Sequence, residues 1–193
     1  MTRHALLILI LCTASPALEA GEDDRIGEAR AAATELVQKL GAALRQELAV
    51  SGPDGAITIC RETAPSLASE LSRRTGWRIA RVSLRARNPL LGAPDAWEQA
   101  VLQRFDRAVA AGEPPDRLEH SETVLEPHGR YLRYMKALPV QPLCLTCHGS
   151  AEAVPESVRQ RLAREYPHDH AVGYDTGQLR GAVTVKVPLD PEP

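Results

Sequence analysis

Apolar residues recur at intervals of three and four near the start of the chain: Ile26, Ala29, Ala33, Leu36, Val37, Leu40, Leu44 and Leu48. That spacing lays one apolar stripe along a helix and predicts an amphipathic helix from about Asp24 to Val50. The acidic run Gly21-Glu22-Asp23-Asp24 suits its N-terminus, where the helix dipole favours negative charge. Ser51-Gly52-Pro53-Asp54-Gly55 is a turn cluster that ends it. A second helix is predicted over about Ala64 to Arg74, with Pro65 in the first turn and Gly76 as the C-terminal stop. Asp95 and Glu98 form a capping box for a third, which carries Trp97, Val101, Leu102 and Phe105 on one side and stops at Gly112. A fourth, short helix spans about Pro155 to Tyr166.

Elsewhere the period falls to two. Trp77 to Leu84, with Ile79 and Val82, reads as a strand, as do Leu118 to Glu126 and Arg130 to Leu138. The last two are joined across Pro127-His128-Gly129, a hairpin signal. The clearest strand is Leu179 to Pro188, through Ala182-Val183-Thr184-Val185-Lys186-Val187. Ala56-Ile57-Thr58-Ile59-Cys60 is a short apolar segment. The stretches 85–94 and 167–174 read as loops. The expected class is α+β: helices on one or both sides of a small, mainly antiparallel sheet, with a long N-terminal helix.

Composition adds three points. The chain has 193 residues, 44% of them hydrophobic but only 4% aromatic. One domain of ordinary size is expected, with an aliphatic core that a large flat apolar group could complete. A formal net charge of −2 gives no electrostatic case for nucleic acid. Residues 1–20 look like a leader: Arg3, then the apolar run Ala5 to Cys12, then small residues and Pro16. Cleavage after Ala17 or Ala20 satisfies the small-residue rule. The run is too short to span a bilayer comfortably, so an exported, periplasmic protein is expected, with no membrane span after leader removal and residues 21–193 as the mature domain.

Against that background the pentapeptide Cys144-Leu145-Thr146-Cys147-His148 stands out. C-x-x-C-H is the attachment signature of c-type haem: two thiols add across two porphyrin vinyl groups, and the histidine becomes the proximal iron ligand. With 4 cysteines and 6 histidines in the chain, about 0.003 accidental matches are expected. A redox dithiol needs no adjacent histidine. A zinc site needs two more ligands, and outside the leader the one other thiol is Cys60. One covalent haem c is therefore the expected cofactor, held by Cys144, Cys147 and His148. From the residues alone, the far side of the iron is open to Met135, Cys60, one of His120, His128, His168 and His170, or no protein ligand. Arg81, Arg85, Arg87 and Arg180 are candidate partners for haem propionates, since guanidinium pairs bidentately with carboxylate. Arg87, beside Asn88-Pro89, is the best placed of them.

Three blocks occur in order: Arg81 to Pro89 followed by Ala93 to Glu98; Cys144 to Gly149; and Tyr166 to Tyr174 running into Gly177 to Ala182. Together they resemble a family of exported PAS-like c-type haem domains, once listed as a domain of unknown function. It occurs free-standing and at the sensing end of bacterial signalling proteins. The resemblance covers essentially the whole mature chain. It implies a PAS-like fold with the haem held against the sheet. The family's cysteine in an Ala-Ile-x-x-Cys context matches Cys60, so the resemblance also implies Cys60 as second axial ligand. The function expected is one-electron transfer with a redox partner protein. A sensory module read by a separate signalling partner is the alternative. A peroxidase-type enzyme, using His128, His168 or His170 beside an open iron site, is the third reading.

Overall fold

The computed structural model describes residues 16–190. Most of the expected leader, residues 1–15 with Cys12, lies outside them. Helix α1 runs Pro16–Thr58 and turns sharply at Gly52 (φ 67°, ψ −168°) just before Pro53. A π-helical turn, Ile59–Thr63, carries the chain into α2, Ala64–Thr75. Strand β1 (Arg78–Val82) leads to a short helical turn α3 (Pro89–Gly92), capped by the Asn88 side chain, and then to α4 (Ala96–Ala110). Strands β2 (Glu119–Glu126) and β3 (Gly129–Pro139) follow. The chain closes with α5 (Leu145–His148), α6 (Glu156–Glu165) and β4 (Leu179–Pro188). No described helix is long and apolar enough to cross a membrane.

The turn expected at residues 51–55 is a kink and not an end. Gly52 supplies the positive φ, and Pro53 restarts the helix as a first-turn residue. The apolar segment 56–60 is accordingly helical, its apolar residues meeting neighbours at helical spacing. The loop expected over 85–94 contains α3.

The four strands form one open antiparallel sheet in the order β1-β4-β3-β2. Strand β4 is central, and its side chains from Gly181 to Val185 are all buried. On one face, Ala29, Ala33 and Leu36 of α1 and Leu71 of α2 pack on Ile79, Leu132, Tyr134, Val183 and Val185. An ion pair between Arg30 and Glu119 (2.5 Å) and a hydrogen bond donated by Tyr134 to Glu119 (2.7 Å) tie α1 to the sheet. On the other face, Val101, Leu102 and Phe105 of α4 cover Val82, Met135, Ala137 and Ala182. The Asp95/Glu98 capping box forms as expected. The fully buried Glu98 carboxylate also accepts from Arg78 (2.8 Å) and Arg133 (3.1 Å).

One irregularity matters for the site. Leu138 pairs with Gly181 and Pro139 with Leu179, so Arg180 is an extra residue on β4. Such a bulge re-aims a side chain at the end of a ladder. Alternation along β4 would send Arg180 to the α4 face with Ala182 and Thr184. The bulge instead brings its guanidinium beside His148, with Nε 3.5 Å from Nε2 of that ring. Gly181, at φ 156°, is needed there: a Cβ would lie 2.3 Å from the carbonyl oxygen of Val82.

Candidate functional site

Between α1 and the sheet, beyond the end of the main core, a cavity of about 490 Å³ opens. That lies within the ordinary range for cofactor sites. Its apolar wall comes from Leu40, Leu44 and Leu48 on α1 and from Ile79, Leu138 and Val183 on the sheet. These are the C-terminal residues of the α1 stripe: its first half fills the core and its second half faces the cavity. Cys60, Cys144, Cys147, His148 and Arg87, the five site residues expected from sequence, all line this one cavity.

Each is held by a distinct local device. Pro142 starts a tight turn over Pro142–Cys144, and α5 follows directly, carrying Cys147 and His148 at adjacent positions. The peptide nitrogen of Gln141 donates to the Cys144 sulfur at 3.4 Å. Cys147 packs beside Ile57, Val158 and Tyr166. Burial pushes its thiol up to about 11, against the pull of the nearby Arg87 guanidinium, so it stays protonated near neutral pH. Cys60 sits in the π-helical turn at the end of the kinked α1. Single π turns inside helices are frequent at functional sites.

His148 is oriented by the segment 169–174, which runs across α5 as a strap. Tyr174 donates its peptide N–H to His148 O (2.9 Å), and Gly173 donates to Gly149 O (2.7 Å). The ring nitrogen Nδ1 lies 2.6 Å from the carbonyl oxygen of Ala171. A carbonyl can only accept, so Nδ1 carries the hydrogen. The lone pair is then on Nε2. Burial, and then the positive charge of Arg180 and Arg87, hold His148 well below the usual histidine range and keep the ring neutral. A neutral imidazole with one N–H locked to a carbonyl and a lone pair on the other nitrogen is the form that ligates a metal.

Arg87 serves the strap. It is buried, and its Nε donates to Asp169 Oδ2 (2.9 Å). Nη2 donates to the carbonyl oxygens of Cys147 (2.5 Å) and Ala171 (3.3 Å). Asp169 in turn accepts from the peptide nitrogen of Ala171 at 2.7 Å. Two nitrogens of the arginine expected to meet a propionate are thus committed to the protein.

The remaining candidates are placed apart. Met135 is fully buried on the opposite face of the sheet, against α4. His120 stacks on Trp97 at 5.7 Å, and His128 lies in the β2–β3 turn. Neither His168 nor His170 lines the cavity. Arg85 is exposed and lies 4.1 Å above the Tyr174 ring. Among the described residues no group of three or more His, Cys, Asp or Glu side chains gathers as a metal cluster.

A sheet with an amphipathic α1 on one face and a ligand-sized cavity at the edge of that helix describes an α+β domain. The family model for Tll0287-like proteins matches residues 22–188, and the chain belongs to that family. Among solved structures, the chain is similar to the one described as the crystal structure of the cyanobacterial heme-protein Tll0287, with 24% identity and a TM-score of 0.67. The match covers 93% of this chain and 100% of that one. No curated protein matches the chain. The fold expected from sequence, α+β and PAS-like with a long N-terminal helix, is the fold observed.

The sequence missed the strap's mechanics. Asp169, Ala171 and Tyr174 belong to a block noticed for its resemblance, yet nothing in their spacing says that a carbonyl there would lock His148. The local signal was Asp169 two residues before Ala171, a turn in which a carboxylate accepts from the backbone two residues on.

Proposed function

We propose that this chain is an exported haem protein. One haem c is attached through Cys144 and Cys147, with His148 as proximal ligand and Cys60 as second axial ligand, and its work is one-electron transfer. The observation that carries this reading is His148 Nδ1–H held on Ala171 O at 2.6 Å, which puts the ring's lone pair on Nε2, beside Arg180 Nε, at the wall of a cavity that also contains the motif's two thiols and a third cysteine. The related cyanobacterial protein is described as a heme-protein. When bound, haem would supply a ferric/ferrous couple that needs no bond made in a substrate.

The chain's own residues do the rest. Leu40, Leu44 and Leu48 give the cavity an apolar wall. The strap fixes the tautomer and ring plane of His148, as an outer-shell partner must for a ligand histidine. A thiolate at Cys60 would donate electron density and hold the ferric state, setting a low potential. The test is direct. The intact chain, exported in cells able to mature c-type cytochromes, should keep its haem on denaturation, and Cys144→Ala with Cys147→Ala should abolish that. Electron paramagnetic resonance of the ferric protein should then show a low-spin signal that changes in Cys60→Ala. An unchanged signal would eliminate Cys60.

One observation favours sensing as a second reading. Cys60 is carried on a π-helical turn next to the Gly52 kink, a joint able to move a ligand. Carbon monoxide or nitric oxide displacing Cys60 would support that reading. Six-coordinate spectra in both oxidation states with no gas binding would support electron transfer to a redox partner. The peroxidatic reading gains nothing, because His148 is the one histidine among the described residues lining the cavity.

A further inference from the structure

The polar side of the cavity has one sign of charge. Arg45, Arg61, Arg81, Arg87 and Arg180 line it, and among the described residues no aspartate or glutamate does. The chain as a whole is slightly acidic, so this is a local concentration. Two of the five are neutralised from behind the wall: Arg61 by Glu165 at 3.2 Å and Arg87 by Asp169 at 2.9 Å. Arg45 is exposed on α1.

Arg81 and Arg180 are left. They lie half-buried on the adjacent strands β1 and β4. Arg180 spends Nη1 on two neutral oxygens, Ser83 Oγ (3.0 Å) and Arg85 O (3.3 Å), and faces the neutral His148 ring. Arg81 is paired with Val183 through its backbone, and its side chain has no hydrogen-bond or ion-pair partner among the described residues. Both guanidinium groups are half-buried, and neither has a carboxylate within ion-pair distance among the described residues. Uncompensated buried charge is costly, and a ligand anion removes that cost. The fold also spends effort on the arrangement: a bulge at Arg180 and a glycine at 181 without which β1 and β4 could not approach so closely.

We propose that Arg81 and Arg180 form a two-pronged anion site that takes the paired carboxylates of a dicarboxylate porphyrin, and thereby fixes which edge of the macrocycle enters the cavity. The proposal rests on the haem reading given above and moves the propionate partners from Arg87 to this pair. Two guanidinium groups on neighbouring strands match two carboxylates on one edge of a ring, each able to form charge-assisted bonds. Arg87 is retained for the strap.

The test uses the full chain with Cys144→Ser and Cys147→Ser, so that binding is reversible. Ferric protoporphyrin and its dimethyl ester, which differ only in the two carboxylates, are titrated by absorbance. The arginine-intact chain should bind the free acid at least about tenfold more tightly than the ester. That gap should shrink to about twofold in Arg81→Gln/Arg180→Gln and return in part in Arg81→Lys/Arg180→Lys. Equal affinities for acid and ester in the arginine-intact chain overturn the proposal, whether or not the glutamine variant folds. A gap unchanged in a folded glutamine variant also overturns it, by placing the carboxylates elsewhere. If neither porphyrin binds and the unmodified chain acquires no haem in cells that mature it, the haem reading itself fails and this one with it.

Discussion

Arg87 shows how far one side chain's role depends on what surrounds it. By residue type it was a free cation next to a proline turn. In the fold it is buried, paired with a partly buried Asp169, and holds two carbonyls of the segments it joins. Removing one partner of a buried ion pair leaves the other uncompensated and costs on the order of 3 kcal/mol. Arg87→Leu should therefore lower stability by about that much in urea denaturation. Arg87→Lys should recover little, because one ammonium cannot reach three acceptors lying in different directions. Asp169→Ala should act on the fold and on the site together, since it leaves the buried Arg87 without its counter-charge. It removes the group holding Ala171 in place, and with it the firm seat of the Ala171 carbonyl on His148. The expected result is a loss of stability comparable to that of Arg87→Leu, together with a shifted midpoint in a potentiometric titration of the holoprotein. A midpoint identical to that of the unmodified protein would separate the strap from the electronics of the ring.

At the scale of elements, periodic segments read well from sequence because burial alone decides them. Strand β4 is found at Leu179–Pro188 as expected, and the Asp95/Glu98 capping box forms as written. All five expected site residues share one cavity. What the pattern could not show depends on contacts distant in sequence. Gly52-Pro53 has the same local chemistry whether a helix ends or bends; α6 packing on Ile57 is what keeps the chain helical beyond it. The bulge at Arg180 depends on how β3 meets β4, and Met135 could not be separated from Cys60 without knowing which face of the sheet each serves. Gly181 carries the clearest prediction at this scale. Gly181→Ala would drive a Cβ against the Val82 carbonyl at an unfavourable φ, and strained backbone of this kind costs of order 1–3 kcal/mol. A drop in denaturation midpoint with reduced porphyrin uptake is expected. The neighbouring Ala182→Gly should not reproduce the loss of uptake, because it leaves the Gly181–Val82 approach intact.

At the scale of the whole molecule, two regions differ in what completes them. The core of the face covered by α4 is filled by the chain itself: Leu102, Phe105 and Met135 are buried, and Glu98 has its arginines. The face under the second half of α1 is not. Its stripe from Leu40 to Leu48 borders a cavity of about 490 Å³, and the site's smaller clusters around Ile57, Val158 and Tyr166 and around Val140, Ala171 and Tyr174 flank the same space. A chain with 4% aromatic residues has few large side chains to spare for filling it. A ligand that binds the folded state stabilises it, and here that gain falls on one region. Hydrogen exchange should therefore be uneven when haem is withheld by Cys144→Ala/Cys147→Ala. Amides in residues 40–65 and 142–178 should lose protection relative to the holoprotein, while those of α4 and the β2–β3 hairpin keep it, because local opening follows local packing. Uniform loss across both faces would mean that the cofactor supports the entire domain. Uniform retention would mean that the cavity is stable without its ligand, and that the long helix needs nothing beyond its own packing to stay on the sheet.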